Sequence, residues 1–339
     1  MNNFENQFIL GKRKIKNYGL PYVIAEIGSN YDQNLKKAIR YVELSKKLGA
    51  DCVKFQLFKA SNFFEENNKN FNLFKKNELP INWLKKISNH CKKKKIDFMC
   101  SPFSADLVIH LRKINVTAYK IASSELLNFD LLHEVAKQKK PIFLSTGMAS
   151  FNDVILSLNY LRKKRVKKLA LLQCTSNYPT EIHDLNLNVI DTYKRSFENI
   201  PVGLSDHSNS VLAPALAVSK GACVIEKHLT LNKSNLGPDH SYAMNPQSFK
   251  IMMKNINVAF VCNGSPNKKK HLLERKFGRK KGLYYKKNLK KNSKISLNLI
   301  KVKNFKIGIK ANDINKIINK KIKKDVKIDQ PVTKKDFKK

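Results

Sequence analysis

The sequence is short of acidic side chains: 26 Asp and Glu stand against 66 Lys and Arg, so the formal charge of the 339 residues is +40. It has one tryptophan, no C-x-x-C pair among its six cysteines, and no run of about eighteen apolar residues. The cysteine pattern argues against a disulfide framework, and the missing apolar run argues against a membrane-spanning helix. Residues 1–17 lack the apolar centre of a signal peptide, so we expect a cytoplasmic protein.

The large positive charge has two interpretations. One is nucleic-acid binding, and the other is a lysine-rich composition spread over every solvated face. The lysines are scattered along most predicted helices, with local clusters at 92–95, 268–270 and 320–324. No basic motif with interleaved aromatic residues and no zinc-finger spacing is present. We therefore favour the second interpretation and expect no specific nucleic-acid partner and no membrane partner.

Short apolar runs alternate with helical patterns, as in 35–48, 127–138 and 151–162. The predicted strands are 22–28, 52–57, 97–102, 118–123, 141–147, 168–175, 203–208 and 224–229. Eight strand–helix units of this kind predict an α/β fold, a (β/α)8 TIM barrel. A doubly wound open sheet is the alternative, but no G-x-G-x-x-G opens the chain.

The alternation stops at Asn263-Gly264-Ser265-Pro266-Asn267, a composition typical of a linker. Short β-like segments follow at 293–297, 300–305 and 326–328, with one short helical pattern at 312–318. They indicate a small β-rich module. The predicted divisions are an N-terminal extension (1–18), a barrel (19–262), a linker (263–281) and a β-rich C-terminal domain (282–339).

Two predicted neighbouring strands, 203–208 and 224–229, each carry a histidine near the end. The helical pattern between them makes a parallel unit, so His207 and His228 are predicted to leave the sheet at the same end. Such a pair suits a divalent metal with open coordination positions. Either histidine alone is more often a satisfied polar residue than a ligand, so the hypothesis depends on their joint occurrence.

In a TIM barrel the C-terminal strand ends share one mouth, where such enzymes carry out their chemistry. The polar residues predicted there are Glu26, Lys54, Gln56, Ser101, Lys120, Ser123, Glu125, Ser145, Ser176, Tyr178, Ser205, Asp206, His207, Glu226 and His228. Inward lysines with several serines are typical of a phosphate or carboxylate cradle. A metal beside it, with Glu125 as a proton-transfer group, indicates carbon–carbon bond formation using a phosphorylated substrate.

Simpler explanations exist for single members of this set. Lys54 could pair with Glu26 and be structural, and Tyr178 could be a packed ring at a turn. Cys100 and Cys174 are interpreted as packing residues, because no adjacent histidine that would activate a thiol is apparent from the sequence. The occurrence of polar groups at all eight strand ends carries the argument.

Eight motifs resemble those of the sialic acid synthases, that is, N-acetylneuraminate synthase and its legionaminic and pseudaminic acid relatives. They are I-A-E-I-G-S-N at 24–30, G-A-D-C-V-K-F-Q at 49–56, Y-K-I-A-S-S-E at 119–125, L-S-T-G-M at 144–148, Q-C-T-S-N-Y-P-T at 173–180, G-L-S-D-H-S at 203–208, I-E-K-H-L-T at 225–230 and G-P-D-H at 237–240. They span about residues 20–262 in family order. The tail resembles, more weakly, the antifreeze-like SAF domain of the same family.

The resemblance implies a reaction. Phosphoenolpyruvate condenses with the open-chain aldehyde of an N-acylated mannosamine-type or related diacetamido sugar. A nine-carbon 2-keto-3-deoxy acid and phosphate result. The resemblance further implies a cytoplasmic, domain-swapped homodimer that works in surface-polysaccharide or glycan biosynthesis.

The resemblance also implies a role for each matching residue. His207 and His228 would hold Mn²⁺, with Mg²⁺ or Co²⁺ as alternatives, and Glu125 would handle protons. The residues implied to bind phosphoenolpyruvate are Lys54, Ser101, Lys120, Ser123, Ser145 and Ser205. Those implied to contact the sugar are Gln56, Tyr178 and Asp239, with Glu26 close to both metal and sugar. Ser176 is predicted to be a further substrate-binding residue.

Three positions depart from the family pattern. Tyr31 stands where the family usually has histidine, and Ser176 stands where its best-known members have asparagine. The family's Arg-Pro-Gly, which reaches a partner's active site, falls near Asn304-Phe305-Lys306, and no arginine follows Arg279. Lys303 or Lys306 would have to replace it without the planar fork of arginine.

Two alternatives therefore stay open at this point. Another phosphoenolpyruvate-condensing synthase would act on a phosphorylated sugar, and it would carry more basic groups around the sugar site. A basic RNA-binding barrel or catalytically dead scaffold would show steep salt-dependent binding to nucleic acid and no metal.

Overall fold

A computed structural model describes residues 4–277, 280–304 and 307–337. It divides the chain into two compact units, Met1–Gly264 and Ser265–Lys339. The strands are β1 (Gln7–Leu10), β2 (Arg13–Lys16), β3 (Tyr22–Gly28), β4 (Cys52–Leu57), β5 (Asp97–Pro102), β6 (Ala118–Ile121), β7 (Ile142–Ser145), β8 (Leu169–Cys174), β9 (Val202–Asp206), β10 (Val224–His228), β11 (Lys281–Tyr285) and β12 (Ile300–Asn304). The α-helices are α1 (Leu35–Lys47), α2 (Phe71–Lys76), α3 (Ile81–Lys94), α4 (Val108–Lys113), α5 (Phe129–Lys137), α6 (Phe151–Lys163), α7 (Asn188–Ser196), α8 (Ala213–Ser219), α9 (Pro246–Asn263) and α10 (Leu272–Phe277).

Eight parallel strands of the first unit close into a barrel in the order β10-β3-β4-β5-β6-β7-β8-β9. The strands alternate with helices, so the TIM-barrel prediction is confirmed. The doubly wound alternative is wrong, because β10 pairs with β3 and no open edge is left in this sheet. The predicted strand starts and ends agree with the structure within two residues.

Helix α1 shows how local sequence sets these elements. The Asn34 side chain accepts a hydrogen bond from the Lys37 backbone N–H and so caps the first turn. Ala38, Tyr41 and Val42 form the buried face against the sheet. Gly49 has a φ of +87° just past the last turn, as predicted for a C-terminal glycine, and β4 begins three residues later.

The floor of the barrel is a hairpin that the sequence prediction treated only as an extension. β1 and β2 pair in antiparallel fashion, and Phe8 and Leu10 are buried while their strand neighbours are exposed. Phe8 lies edge-on to Phe143, with ring centroids 6.3 Å apart. The apolar cluster that joins hairpin and barrel is Phe8, Leu10, Ile15, Tyr22, Ile24, Cys52, Met99, Ala118, Phe143, Ala170, Leu172, Cys223 and Val224.

This cluster fixes the level of the polar site above it. Ile24, Cys52, Met99, Ala118 and Phe143 each belong to the cluster. Side chains on one face of a strand recur every second residue, so the next inward residue on each of these five strands lies two positions further along. All five of these residues are polar. Those positions are Glu26, Lys54, Ser101, Lys120 and Ser145.

Replacing Phe8 by alanine is expected to lower the free energy of unfolding by about 3–5 kcal/mol, because a buried phenyl ring is removed from the barrel floor. Ile9→Ala is the matched control, since Ile9 lies on the same strand and is 58% exposed. Urea unfolding followed by circular dichroism gives both values. Equal small losses for the two variants would show that the hairpin does not stabilise the barrel.

The C-terminal unit is irregular and β-rich. β11 pairs with β12, and Leu283, Tyr285, Ile300 and Val332 belong to its core. The predicted strands at 293–297 and 326–328 are wrong: Lys294 and Val326 form single β-bridges, to Lys321 and Leu289. Left-handed turns at Asn292, Asn319 and Asp329 interrupt the ladders. The predicted helix at 312–318 is a 3₁₀ segment, Ala311–Lys316. In the described ranges, no helix is both long and apolar enough to span a bilayer.

Candidate active site

The predicted site residues meet at the C-terminal ends of the barrel strands. Of the fourteen residues to which the resemblance gives a role, eleven line one small cavity of about 50 Å³: Glu26, Lys54, Gln56, Ser101, Lys120, Ser123, Ser145, Tyr178, Ser205, His207 and His228. Phe103, Ala122, Cys174 and Glu226 complete the lining. Glu125, Ser176 and Asp239 lie beside the cavity rather than in its wall.

Two buried lysines and two buried glutamates form the base of the cavity. Lys54 Nζ lies 2.7 Å from Glu26 Oε2 and 3.6 Å from Glu226 Oε1, and Lys120 Nζ lies 3.5 Å from the same Glu226 oxygen. Ser205 Oγ donates to Glu226 Oε1 at 3.1 Å. Charges this deeply buried persist only when they are paired, so the four side chains depend on one another.

Glu226 links both lysines; it was predicted at the mouth, but no role was predicted for it. The signal was its position two residues before His228, which puts both side chains on one face of β10. The predicted structural pair of Lys54 with Glu26 is present, and it lies inside the cavity wall. The pairing therefore agrees both with a structural role for Lys54 and with a role in binding an anionic substrate.

Burial and neighbouring charges set the protonation of these four side chains at the bottom of the cavity. Burial would raise the pKa of Glu226, but Lys120 and Lys54 outweigh it and lower that pKa to about 2. Burial raises the pKa of Glu26, against the opposing effect of Lys54. Burial lowers the pKa of Lys120, while the two glutamates raise the pKa of Lys54 despite its burial. Glu226 is thus the carboxylate that stays ionised between the two lysines.

The serines form a cradle beside these lysines. Ser123 Oγ accepts a hydrogen bond from the Gly147 backbone N–H at 2.9 Å. Ser145 Oγ and Ser176 Oγ are buried with no hydrogen-bond partner among the described residues. A Cβ atom on Gly147 would lie 2.2 Å from Ser176 Oγ, so only glycine fits between these hydroxyls. Buried hydroxyls without a protein partner, next to lysines, suit the oxygens of a bound anion.

The two histidines lie next to each other as predicted, with ring centroids 5.4 Å apart. His207 Nδ1 lies 3.0 Å from the Thr175 carbonyl oxygen. A carbonyl only accepts, so Nδ1 carries a proton, and Nε2 is the nitrogen with a free lone pair in the neutral ring. His228 Nδ1 is buried without a hydrogen-bond partner in the described chain, and burial lowers the pKa of His228 to about 3. Each imidazole can therefore offer a lone pair to a cation.

Cys174 lies closer to a histidine than the sequence indicated. Its Sγ is 3.9 Å from His207 Nδ1, so the expectation of no histidine beside this thiol is wrong. Burial would raise the pKa of Cys174, but the contact with His207 lowers it overall. The two residues are 33 positions apart, and the contact arises because β8 and β9 are neighbours in the barrel.

A second buried ion pair lies directly behind the histidines. Asp206 was predicted at the mouth, and this is wrong: it points out of the barrel with Lys227, because both alternate with the inward residues of β9 and β10. Lys227 Nζ lies 2.6 Å from Asp206 Oδ2 and also donates to the Ser208 carbonyl. This pair holds the two strand ends together at the level of the site.

Asp239 and Glu125 flank the cavity. Asp239 Oδ2 accepts hydrogen bonds from the backbone and side chain of Ser29, both at 2.8 Å, and Oδ1 accepts one from the Tyr242 hydroxyl. Glu125 accepts from Ser124 Oγ at 3.0 Å and from Asn128 Nδ2 at 2.7 Å. Tyr242 was missed in the sequence, although its ring lies 5.0 Å from that of His228. Nothing in its local pattern distinguishes it from a packed tyrosine.

The tail position that departs from the family pattern is only partly described. Phe305 and Lys306 lie outside the described residues. Lys303 donates to Asp329 and lies over the Tyr284 ring at 5.9 Å. The expectation that a lysine replaces the family arginine therefore stays a prediction.

Larger cavities, of about 610, 530 and 500 Å³, lie away from this site. The first and third are bordered by residues at the starts of barrel strands and the ends of helices, for example Lys46, Lys95, Lys139 and Arg165. The second lies between α3 and α4. Basic side chains at helix C-termini stabilise the helix dipole, which accounts for their presence there. The convergent polar groups identify the small cavity as the site, and size does not.

Comparison with known proteins supplies the family. The model of the NeuB family matches residues 41–268. The chain belongs to the NeuB family. Residues 280–338 match the SAF domain, so both predicted resemblances are confirmed. The NeuB match contains seven of the barrel strands and both histidines.

Individual NeuB relatives cover nearly the whole chain. An uncharacterized protein of Methanocaldococcus jannaschii is 37% identical over 93% of this chain and 94% of its own. The N,N'-diacetyllegionaminic acid synthase of Campylobacter jejuni is 34% identical over 91% of this chain and 97% of its own. The crystal structure of the N-acetylneuraminic acid (sialic acid) synthetase of Leptospira borgpetersenii is 29% identical, covers 82% of this chain and 96% of its own, and superposes with a TM-score of 0.77.

Proposed function

We propose that the protein is a sugar-acid synthase that condenses phosphoenolpyruvate with an N-acylated, mannosamine-type or diacetamido sugar. The observation that carries the proposal is the base of the cavity, where Lys54 and Lys120 meet beside a cradle of serine hydroxyls. Phosphoenolpyruvate brings a carboxylate and a phosphate, and these groups match two cations and several hydroxyl donors. Related proteins are synthases of legionaminic and N-acetylneuraminic acid, in agreement with this reaction.

The residues present fit a divalent metal, although they form only part of a coordination shell. No group of three or more His, Cys, Asp or Glu in the described part of the chain is arranged to hold a metal ion. His207 and His228 offer two imidazole lone pairs, one with a buried nitrogen lacking a protein partner. We therefore propose Mn²⁺, or a similar ion, at these two residues. When bound there, such an ion polarises a carbonyl oxygen and positions water.

The remaining residues divide the reaction between them. Lys54 and Lys120 hold the anionic groups of phosphoenolpyruvate, with Ser123, Ser145 and Ser176 around the phosphate. The C3 carbon of phosphoenolpyruvate bonds to the aldehyde carbon, the elements of water add at C2, and the C2–O bond to phosphate breaks. Glu125, whose carboxylate is held by Ser124 and Asn128, is the proposed proton-transfer group.

The acceptor side of the cavity favours a sugar without a phosphate. Within the described lining, Lys54 and Lys120 supply the positive side chains besides the two histidines, and both lysines are committed at the base. Phe103, Gln56 and Tyr178 also line the cavity, and we place the acceptor beside them. A phosphorylated sugar would bring at least one more negative charge that needs its own cations. We therefore place the phosphorylated-sugar synthase second.

A homodimer is the proposed assembly. Large apolar side chains are exposed in the loops that follow strands β6 to β10: Leu127, Met148, Tyr178, Ile182, Leu212 and Leu236. An apolar rim of this kind around a mouth is typical of a surface that another protein covers. A second copy of the chain is the proposed cover, as the resemblance implies. Light scattering at physiological ionic strength should give twice the chain mass of 39.0 kDa.

Phosphate release from phosphoenolpyruvate tests the function. The sugar panel is N-acetylmannosamine, its 6-phosphate, the diacetamido-trideoxy hexoses of the legionaminic and pseudaminic routes, and arabinose 5-phosphate, each with Mn²⁺ and with EDTA. We expect release with one unphosphorylated amino sugar, and loss of at least about 100-fold with EDTA or His207→Ala, since a bound metal contributes several kcal/mol. His90→Ala, a surface histidine beside Glu43, is the control.

Other outcomes of this assay decide between the alternatives. Turnover of the sugar 6-phosphates alone would favour the phosphorylated-sugar synthase. If no sugar of the panel gave phosphate release and equilibrium dialysis showed no Mn²⁺ binding, the synthase proposal would be wrong. Steep salt-dependent RNA binding would then favour the basic scaffold.

A further inference from the structure

The loop between β10 and α9, residues 229–245, covers one side of the catalytic cavity. It carries Asp239 and Tyr242, and the Tyr242 ring lies 5.0 Å from His228 and 5.1 Å from Tyr178. The carboxylate of Asp239 lies where β3 ends, and a Cβ atom on Gly28 would be 2.2 Å from its Oδ2. The placement of these groups therefore depends on how the loop sits against the end of β3.

His240 ties this loop down at both of its ring nitrogens. Nε2 lies 2.8 Å from Asp32 Oδ1, in the loop after β3, and Nδ1 lies 2.7 Å from Thr230 Oγ1, at the base of its own loop. A carboxylate only accepts, so Nε2 carries a proton and donates to Asp32, while Nδ1 lies within hydrogen-bond distance of the Thr230 hydroxyl, which also donates to the Asn232 carbonyl at 3.0 Å. The imidazole is 0% exposed. A single buried side chain thus joins the middle of the loop to the loop after β3 and to its own base.

The surrounding backbone is built closely around this ring. A Cβ atom on Gly237, whose φ is +152°, would lie 2.9 Å from His240 Cδ2. Asp32 also forms an ion pair with Lys37 at 2.8 Å, which helps to orient the carboxylate that accepts the hydrogen bond from His240. Thr230 is held in turn by the backbone, because its N–H donates to the Met244 carbonyl at 2.8 Å. The two partners of His240 are therefore themselves fixed.

We infer that His240 is a positioning residue of the acceptor site, which latches the loop so that Asp239 and Tyr242 face the sugar. The inference rests on the proposed function of the cavity. The contacts of His240 described above are to Asp32 and Thr230, and it is not part of the cavity lining. The groups proposed for phosphoenolpyruvate lie on barrel strands or immediately after them, so loosening the loop leaves them in place. Loss of the contacts of His240 should therefore weaken binding of the sugar and leave binding of phosphoenolpyruvate unchanged.

Steady-state kinetics of His240→Ala test this difference. We expect the KM of the sugar to rise by about 10- to 100-fold, as misplaced positioning groups cause, and the KM of phosphoenolpyruvate to change by less than about 2-fold. His240→Gln keeps an N–H that reaches toward Asp32 and should recover part of the loss. Asp32→Asn and Thr230→Val each weaken one end of the latch and should give intermediate values.

Two controls separate positioning from a general loss of stability. Phe8→Ala destabilises the barrel from its floor, about as far from the loop as the barrel allows, and should leave both KM values unchanged. His90→Ala removes a histidine–carboxylate contact on the surface, at 3.2 Å from Glu43, and should change neither the KM values nor the stability. A parallel rise of both KM values in His240→Ala, matching its loss of stability, would overturn the inference.

Hydrogen exchange gives a readout that does not depend on the reaction. Without substrate, the amides of residues 231–242 should exchange at least about 10-fold faster in His240→Ala, while those of β4 and β6 stay protected. Unchanged exchange in the loop would also overturn the latch. If the wild-type protein turned over no sugar, the proposed function would fail, and the exchange experiment would still decide whether His240 fixes the loop.

Discussion

Lys54→Met is expected to abolish most activity and to destabilise the barrel at the same time. The methionine keeps the volume of the side chain but removes the cation that faces Glu26 and the proposed anionic substrate. We expect kcat/KM for phosphoenolpyruvate to fall by roughly 10³-fold, the effect of losing one preorganised charged donor. The free energy of unfolding should fall by about 3–5 kcal/mol, because Glu26 is left as an unpaired buried carboxylate.

The double variant Lys54→Met/Glu26→Gln separates these two effects. Removing both charges should restore most of the stability, since a buried neutral pair lacks the desolvation penalty of the lone carboxylate. Activity should stay low, because the substrate still lacks its cation. Lys75→Met, which breaks an exposed ion pair with Glu78, is the control and should change both quantities little. Full activity in the double variant would show that Lys54 is only structural.

The stability loss of Lys54→Met should also depend on pH. Burial already raises the pKa of Glu26, and removal of Lys54 takes away the opposing charge. A carboxyl group whose folded pKa exceeds its unfolded value loses stability as the pH rises through that range. The deficit relative to the wild-type protein should therefore shrink as the solution is made more acidic. A deficit that is constant with pH would contradict the assignment to Glu26.

Glu125→Gln is expected to lower kcat by about 10²- to 10⁴-fold while the KM values of both substrates change little. The glutamine can still accept the hydrogen bond from Asn128 that positions the side chain, but it cannot exchange a proton at neutral pH. Single-turnover measurements of phosphate release report this step directly.

Glu134→Gln is the matched control, since Glu134 pairs with Lys137 on the outside of α5. It should behave like the wild-type protein. A Glu125→Gln variant with nearly normal kcat would remove Glu125 from the proton transfer and point to another group. A variant with raised KM for phosphoenolpyruvate and normal kcat would indicate a binding role instead.

The barrel could be predicted from the sequence because each strand is a short apolar run and the polar groups follow at the ends. Lys54 and Lys120 stand out for the same reason: a lysine in an inward position of a buried strand requires an anion. His207 and His228 were brought together by the parallel unit alone. These inferences need only local periodicity and the rule that parallel strands end at one edge.

Other features depend on contacts between distant parts of the chain. The hairpin around Phe8 and Ile15 is too short and too charged to indicate a barrel floor until its partners, such as Phe143, are placed. Tyr242 and His240 lie in an aperiodic loop, and His240 meets Asp32, 208 positions away, only through the closed sheet. Glu226 was visible, but its link to two lysines follows from the order of strands around the barrel.

Because β10 pairs with β3, the active site can form only late in folding, when the two ends of the barrel meet. Asn30 Nδ2 donates to the Leu229 carbonyl across this seam, between residues 199 positions apart, and the contact of Lys54 with Glu226 crosses the same seam. Bringing such distant segments together is entropically expensive and slow. A folding intermediate in which β10 and β3 are not yet paired can contain all the helices and most of the strands. In such an intermediate the residues of the site from the two ends of the barrel are still apart. The rate at which phosphate release is regained during refolding therefore measures the closure of the barrel, whereas the circular dichroism signal does not.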